Sequence, residues 1–201
     1  MPSAFFFPPR TSVAMRVILA VAMLVTALPA AAQTAQERLP TCLSCHGEKG
    51  QSANPDIPSL GAQQKDYLLV QLYMFREKMR KVEVMNEMAK GLSDDDLRTV
   101  SELVAKLPPP VPPADAPDAA RVERAKELVA KNRCNFCHTP NFAGQDQVPR
   151  IADQREDYLL KTLREYKSGE RRGYEPTMGS VVEPLRDSDL VDLAYYLARV
   201  R

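Results

Sequence analysis

The sequence predicts an all-α chain built of two similar units in tandem, joined by a proline-rich linker. Three observations carry this. Apolar residues recur at helical spacing in both halves without a convincing alternating strand pattern, one mid-chain segment is dense in proline, and the two halves repeat the same motifs in the same order. The chain of 201 residues balances 27 lysines and arginines against 26 aspartates and glutamates. Neither a nucleic-acid patch nor a polybasic membrane stripe is visible in so even a charge distribution.

Taken in order, residues 1–32 read as an export signal. Arg10 and Arg16 precede an apolar run from Val17 to Leu28, and Ala30-Ala31-Ala32 offers small residues for cleavage near Ala32/Gln33. The run is shorter than the ~20 apolar residues that a comfortable membrane span needs. A cleaved signal is therefore favoured over an uncleaved anchor, and the expected location is the periplasm.

The first unit spans residues 33–106. Pro40 leaves room for only a turn or two of helix ahead of Cys42. A second helix follows Tyr67-Leu68-Leu69 through Leu72, Met74 and Phe75. A closing helix carries Leu97, Val100, Leu103, Val104 and Leu107; Ser93 with Asp96 forms its capping box, and Asp94 to Asp96 suit its positive N-terminus. Residues 107–117, Leu107-Pro108-Pro109-Pro110-Val111-Pro112-Pro113-Ala114-Asp115-Ala116-Pro117, exclude helix and sheet and favour an extended, semi-rigid spacer that fixes the separation of the units.

The second unit, residues 118–201, opens with Asp118 capping a helix through Val122, Ala125, Leu128 and Val129. Tyr158-Leu159-Leu160 continues helically through Leu163 and Tyr166 until Gly169 breaks the pattern, and Leu190, Leu193, Ala194 and Leu197 mark the closing helix. Units of about 80 residues lie near the lower limit for a self-sufficient core, a deficit that a buried cofactor would make up.

The chain's chemistry is concentrated in two pentads, Cys42-Leu43-Ser44-Cys45-His46 and Cys134-Asn135-Phe136-Cys137-His138, which hold every cysteine and histidine. Cys-x-x-Cys-His is the attachment signature of c-type haem. On one helical turn, positions i, i+3 and i+4 share a face, so both sulfurs and the imidazole can meet one flat macrocycle. A redox disulfide in each pair, or one zinc site closed by both pairs, would leave the two adjacent histidines unexplained. The expectation is two covalently attached haems c with their iron: thioethers at Cys42, Cys45, Cys134 and Cys137, and iron ligands at His46 and His138. Covalent haem attachment in bacteria takes place outside the cytoplasmic membrane, in agreement with export.

With both histidines spent, no second histidine of this chain can complete either iron, and methionine is the strongest ligand left. The second unit contains one, Met178, within Glu175-Pro176-Thr177-Met178-Gly179. The first offers Met74, Met79, Met85 and Met88. The repeat favours Met85, which stands seven residues before Leu92 as Met178 stands seven before Leu185; Met88 and Met79 stay open.

The repeat extends to Pro58-Ser59-Leu60-Gly61-Ala62-Gln63-Gln64-Lys65-Asp66-Tyr67-Leu68-Leu69 against Pro149-Arg150-Ile151-Ala152-Asp153-Gln154-Arg155-Glu156-Asp157-Tyr158-Leu159-Leu160. Two pentads, two Pro-x-(Leu/Ile)-x-x-Gln-x-x-x-Tyr-Leu segments and a late methionine before each acidic-capped closing helix resemble the dihaem cytochromes of the c-four type, tandem class I cytochrome c domains. The resemblance covers nearly all of residues 37–201. It implies an all-helical bilobal electron carrier with haems facing one another across the domain interface. It implies that the Pro58 and Pro149 carbonyls accept a hydrogen bond from the ligand imidazoles. It also places Tyr67, Tyr158, Arg80 and Arg171 where side chains often lie near haem propionates, though packing and solvated surface explain those residues equally well. Lys78 departs from the pattern, standing where the second unit has Gly169. With its short leading helix, the first unit is expected to be the less standard and less stable.

The function implied is outer-sphere electron transfer in a respiratory or dehydrogenase chain, with no catalysis by the chain itself. The expected partners are redox proteins: a dehydrogenase or quinol-oxidising complex as donor, an oxidase or reductase as acceptor. Membrane contact would come only through them. Two other readings stay open, a haem subunit of an oxidoreductase complex and a dihaem peroxidase-like enzyme with one open iron, which would need a displaceable distal ligand and acid/base residues beside it.

Overall fold

The computed structural model describes residues 34–171 and 176–200; the expected export signal and its cleavage site lie outside them. Nine helices account for the regular structure of the described residues, and no strand forms among them beyond one isolated bridge between Gln145 and Val148. In the first lobe these are α1 (Ala35–His46), α2 (Lys65–Arg76), α3 (Glu83–Ala89) and α4 (Asp94–Ala105). In the second they are α5 (Ala119–Lys131), α6 (Cys134–His138), α7 (Glu156–Ser168), α8 (Thr177–Val182) and α9 (Asp187–Leu197).

Local chemistry explains most of the boundaries. The Ser93 hydroxyl accepts from the Asp96 amide at 3.1 Å and the Asp96 carboxylate accepts from the Ser93 amide at 2.9 Å, the reciprocal box that starts α4. Asp118 caps α5 by accepting from the Arg121 amide at 3.0 Å. Gly169 ends α7 in the left-handed conformation at φ 74°. Lys78 adopts the same region at φ 56° after α2, so the first lobe makes the turn with a residue that pays a steric penalty there.

One boundary differs from expectation. The stretch before Cys42 is indeed two turns long, but it is continuous with the pentad: α1 starts at a Thr34–Glu37 capping box and runs through Pro40 to His46. Pro40 is exposed and can be carried in mid-helix because only one backbone bond is lost there. In the second lobe Asn132 and Arg133 interrupt the same path, Arg133 at φ 55°, separating α5 from α6.

The cores differ too. The second lobe has one contiguous cluster that includes Val129, Phe142, Leu159, Leu163, Leu190, Leu193 and Leu197. In the first lobe the core is divided between Ala35, Leu68, Val100 and Val104 on one side and Phe75, Ala89, Leu92 and Leu97 on the other, with Leu72 touching both. The second lobe also fastens its leading helix to its closing helix. Arg121 and Arg124 pair with Asp192 at 3.1 and 2.7 Å, the Tyr195 hydroxyl accepts from the Asp118 amide at 2.7 Å, and the Tyr195 ring lies between the guanidinium groups of Arg121 and Arg199.

The proline-rich linker lies against the protein. The Leu107 carbonyl accepts from the Ala62 amide at 2.9 Å, Gln51 exchanges two hydrogen bonds with the Val111 backbone at 3.0 and 3.2 Å, and Asp115 pairs with Arg199 at 3.2 Å. Gly61 sits so close beneath the Pro108 carbonyl that no side chain fits there.

Candidate haem sites

Each pentad lies on helix, the first as the last turn of α1 and the second as α6. Its two cysteines and histidine thus share one helical face, as their spacing predicts. None of the four cysteines is joined to another in a disulfide, and among the described residues no three His, Cys, Asp or Glu side chains converge as a metal cluster. The disulfide and zinc alternatives find no support in this geometry. Burial pushes the Cys42 and Cys134 thiols up from their ordinary range.

The histidines are the buried members of the pentads, 7% and 5% exposed. His46 Nδ1 lies 2.9 Å from the Pro58 carbonyl oxygen, and His138 Nδ1 lies 2.9 Å from that of Pro149. A carbonyl can only accept, so Nδ1 carries the proton and Nε2 keeps its lone pair for a metal. Burial lowers both imidazoles below the usual histidine range, opposed only in part by the proline carbonyls. Each ring is therefore neutral and oriented, the state that ligation requires. The chain can return to its own histidine because the residue after it takes a positive φ, 87° at Gly47 and 69° at Thr139. A side chain at Gly47 would run into the Gln51 carbonyl.

The methionines named from the repeat occupy two short helices that hydrophobic periodicity does not reveal, Met85 on α3 and Met178 on α8. Both are partly buried: Met85 packs on the Phe75, Ala89, Leu92 and Leu97 cluster, and Met178 packs on the second-lobe core, as does Cys134. The competitors are placed otherwise. Met74 is 3% exposed within the core, whereas Met79 and Met88 are exposed at 55% and 38%.

Between the lobes lies a cationic cluster. Arg171 donates to the hydroxyls of Tyr158 and Tyr67 at 3.2 Å each, and Arg80 donates to Tyr158 at 3.3 Å and to Gln71 at 2.7 Å. Arg171 is only 9% exposed, and the Glu165 carboxylate stands 3.9 Å away, at the edge of ion-pair range. Burial alone would raise the Tyr158 phenol, but the Arg171 and Arg80 charges and their hydrogen bonds outweigh it and bring it down to about 8. A buried guanidinium whose hydrogen-bond partners are the neutral hydroxyls of Tyr67, Tyr158 and Thr162 calls for an anion. The two carboxylates of a haem meet that need, so the residues present fit the group the pentads would attach.

Glutamines also meet across the lobes. The Gln63 side chain exchanges hydrogen bonds with the Arg150 backbone at 2.7 and 3.0 Å, and Gln154 does the same with the Ser59 backbone at 2.8 Å twice. The sequence displayed both glutamines in the repeated segment without disclosing their role; their duplication at one place was the available signal.

The cytochrome c family model matches residues 122–201. Cytochrome c4 of Stutzerimonas stutzeri is 30% identical over 183 residues, covering 83% of this chain and 87% of the relative. The chain belongs to the cytochrome c4 family. A protein named thiosulfate dehydrogenase electron acceptor, from Thiomonas intermedia, is 30% identical over 204 residues, covering 94% of this chain and 93% of the relative. The solved structure of reduced recombinant cytochrome c4 from Pseudomonas stutzeri superposes with a TM-score of 0.74 at 27% identity, covering 85% of this chain and all of that one. As a cytochrome c4 homologue the chain has tandem class I cytochrome c domains, binds two haems c covalently, and carries electrons between redox proteins. No described helix is long and apolar enough to cross a membrane.

Proposed function

We propose that this cytochrome works in the periplasm after cleavage near Ala32/Gln33, with residues 33–106 and 118–201 as its two haem domains and 107–117 as the strap between them. It takes single electrons from a dehydrogenase or quinol-oxidising complex and passes them to an oxidase or reductase. A dehydrogenase donor is supported by the similarity to the electron acceptor of Thiomonas intermedia.

In this reading Cys42 and Cys45 anchor the first haem, and Cys134 and Cys137 the second. His46 with Met85, and His138 with Met178, are the iron ligands, a pairing that raises a haem's reduction potential. Haem c supplies the one-electron ferric/ferrous couple; the rest is the work of the chain. Pro58 and Pro149 hold the buried imidazoles, Met85 and Met178 would complete the coordination of each iron and keep exogenous ligands out, and Arg80 and Arg171 would offset the propionate charge. Such sites exchange electrons without binding a substrate at iron. The observation that carries the reading is the matched pair of 2.9 Å bonds from His46 and His138, which leaves each Nε2 free for iron.

The test is the ferric absorption spectrum of the purified holoprotein with and without azide, repeated for Met85→Ala and Met178→Ala. Two low-spin haems with a methionine-to-iron charge-transfer band are expected, each variant losing part of the band and gaining azide binding at one iron. A wild type with a high-spin fraction that binds azide readily would overturn the carrier reading in favour of an open-iron enzyme. Loss of the band in Met88→Ala and not in Met85→Ala would reassign the first ligand.

A further inference from the structure

Each histidine-supporting carbonyl belongs to a peptide group whose N–H is also engaged, and in both cases the partner comes from the other lobe. The Pro58–Ser59 peptide accepts from His46 Nδ1 through its oxygen at 2.9 Å and donates through the Ser59 N–H to Gln154 Oε1 at 2.8 Å. The Pro149–Arg150 peptide accepts from His138 Nδ1 at 2.9 Å and donates through the Arg150 N–H to Gln63 Oε1 at 2.7 Å. Each glutamine is locked by its second bond, Gln154 Nε2 to the Ser59 carbonyl at 2.8 Å and Gln63 Nε2 to the Arg150 carbonyl at 3.0 Å. Gln63 and Gln154 are 6% and 7% exposed, so the relays run out of water, where hydrogen bonds polarise one another most strongly.

The two ends of a peptide group are electronically one unit. An acceptor at its N–H pushes negative charge onto its carbonyl oxygen, which then pulls harder on the imidazole N–H. A ring so pulled becomes a more basic ligand, and a more basic ligand favours ferric over ferrous iron. We propose that Gln154 and Gln63 are crossed positioning residues: Gln154 of the second lobe lowers the reduction potential of the first haem, and Gln63 of the first lobe lowers that of the second. This rests on His46 and His138 as iron ligands. The azide experiment above interrogates the methionine side of each iron and the present one the histidine side, so the two can fail separately.

The test uses the full holoprotein carrying Gln154→Leu or Gln63→Leu, with redox titrations followed by the haem-methyl NMR signals that distinguish the two haems. Gln154→Leu is expected to raise the potential of the first haem and leave the second in place, and Gln63→Leu to do the reverse. The shift should stay within a tenfold change in the oxidised-to-reduced ratio, ~59 mV for a one-electron couple. In the reduced protein the His46 Nδ1–H resonance should move upfield in Gln154→Leu while that of His138 holds. Because a leucine could also loosen the lobes, Gln154→Glu supplies the control. It keeps an oxygen facing the Ser59 N–H and should leave the first haem at or below its wild-type potential. The proposal is overturned if a leucine variant shifts the haem of its own lobe, both haems equally or neither, or if Gln154→Glu raises the first potential as Gln154→Leu does.

Discussion

Asp192 shows how much of the second lobe's order hangs on one carboxylate. It lies on α9, its side chain is 13% exposed, and it receives Arg121 and Arg124 from α5. Hydrogen bonds from Arg124, then Arg121, hold its pKa below the 3.8 of a free aspartate, against the opposing effect of burial. A carboxyl depressed in the folded state contributes stability above its unfolded pKa and loses it as pH falls through the folded value. Asp192→Asn should therefore destabilise the protein by about 1–2 kcal/mol at pH 7. Urea unfolding at pH 7 and again well below pH 4 should show the gap between wild type and variant closing in acid; a gap independent of pH would mean that packing, and not charge, is what the carboxylate provides. Residues of this kind separate what a sequence displays from what it withholds. The pentads displayed their chemistry because the reactive atoms are neighbours in the chain. Gln63 and Gln154 withheld theirs because each finds its partner 87 or 95 positions away, and only docking of the lobes brings those atoms together.

The elements were readable in proportion to their length. The four closing and post-pentad helices run 11 to 13 residues, long enough for apolar spacing to mark a face, and their caps at Ser93 and Gly169 fall where side-chain chemistry places them. Helices α3 and α8, seven and six residues long, hold too few turns for a period, and only the repeat drew attention to their methionines. Helix α1 has the two turns ahead of Cys42 that Pro40 and the short leading stretch allow, and the capping box at Thr34 and the burial of Ala35 against Val100 and Val104 hold it together across the proline into the pentad. That arrangement retains a cost. Pro40→Ala restores a donor for the Gln36 carbonyl at an exposed position and should raise stability by about 1–3 kcal/mol. Thermal unfolding of the holoprotein checks this; an unchanged midpoint would mean that α1 contributes little to the limiting unfolding step.

For the whole molecule, the prolines suggested a semi-rigid spacer that fixes the separation of two units, and the lobes also touch one another directly. Besides the glutamine pairs, Arg155 donates to the Ser52 carbonyl at 3.0 Å, Gln64 to the Ala143 carbonyl at 2.8 Å, and Lys161 meets Asp56 at 2.8 Å. The relative placement of the lobes thus rests on their own surfaces. Replacing Pro109, Pro110, Pro112 and Pro113 together by serine should leave the radius of gyration in solution scattering unchanged, since the direct contacts remain; an expansion would return the spacing role to the linker. The surfaces in contact are also copies of one another: Gln63 answers Gln154, Ser59 answers Arg150, and the Tyr67–Arg171 bond has its counterpart in Tyr158–Arg80. An interface unchanged when its halves are swapped is isologous, the kind that two identical subunits form about a twofold axis. One ancestral surface, correct once, suffices to build it twice. Joining the copies on a single chain then turns a pairing that depended on concentration into one that every molecule completes by itself.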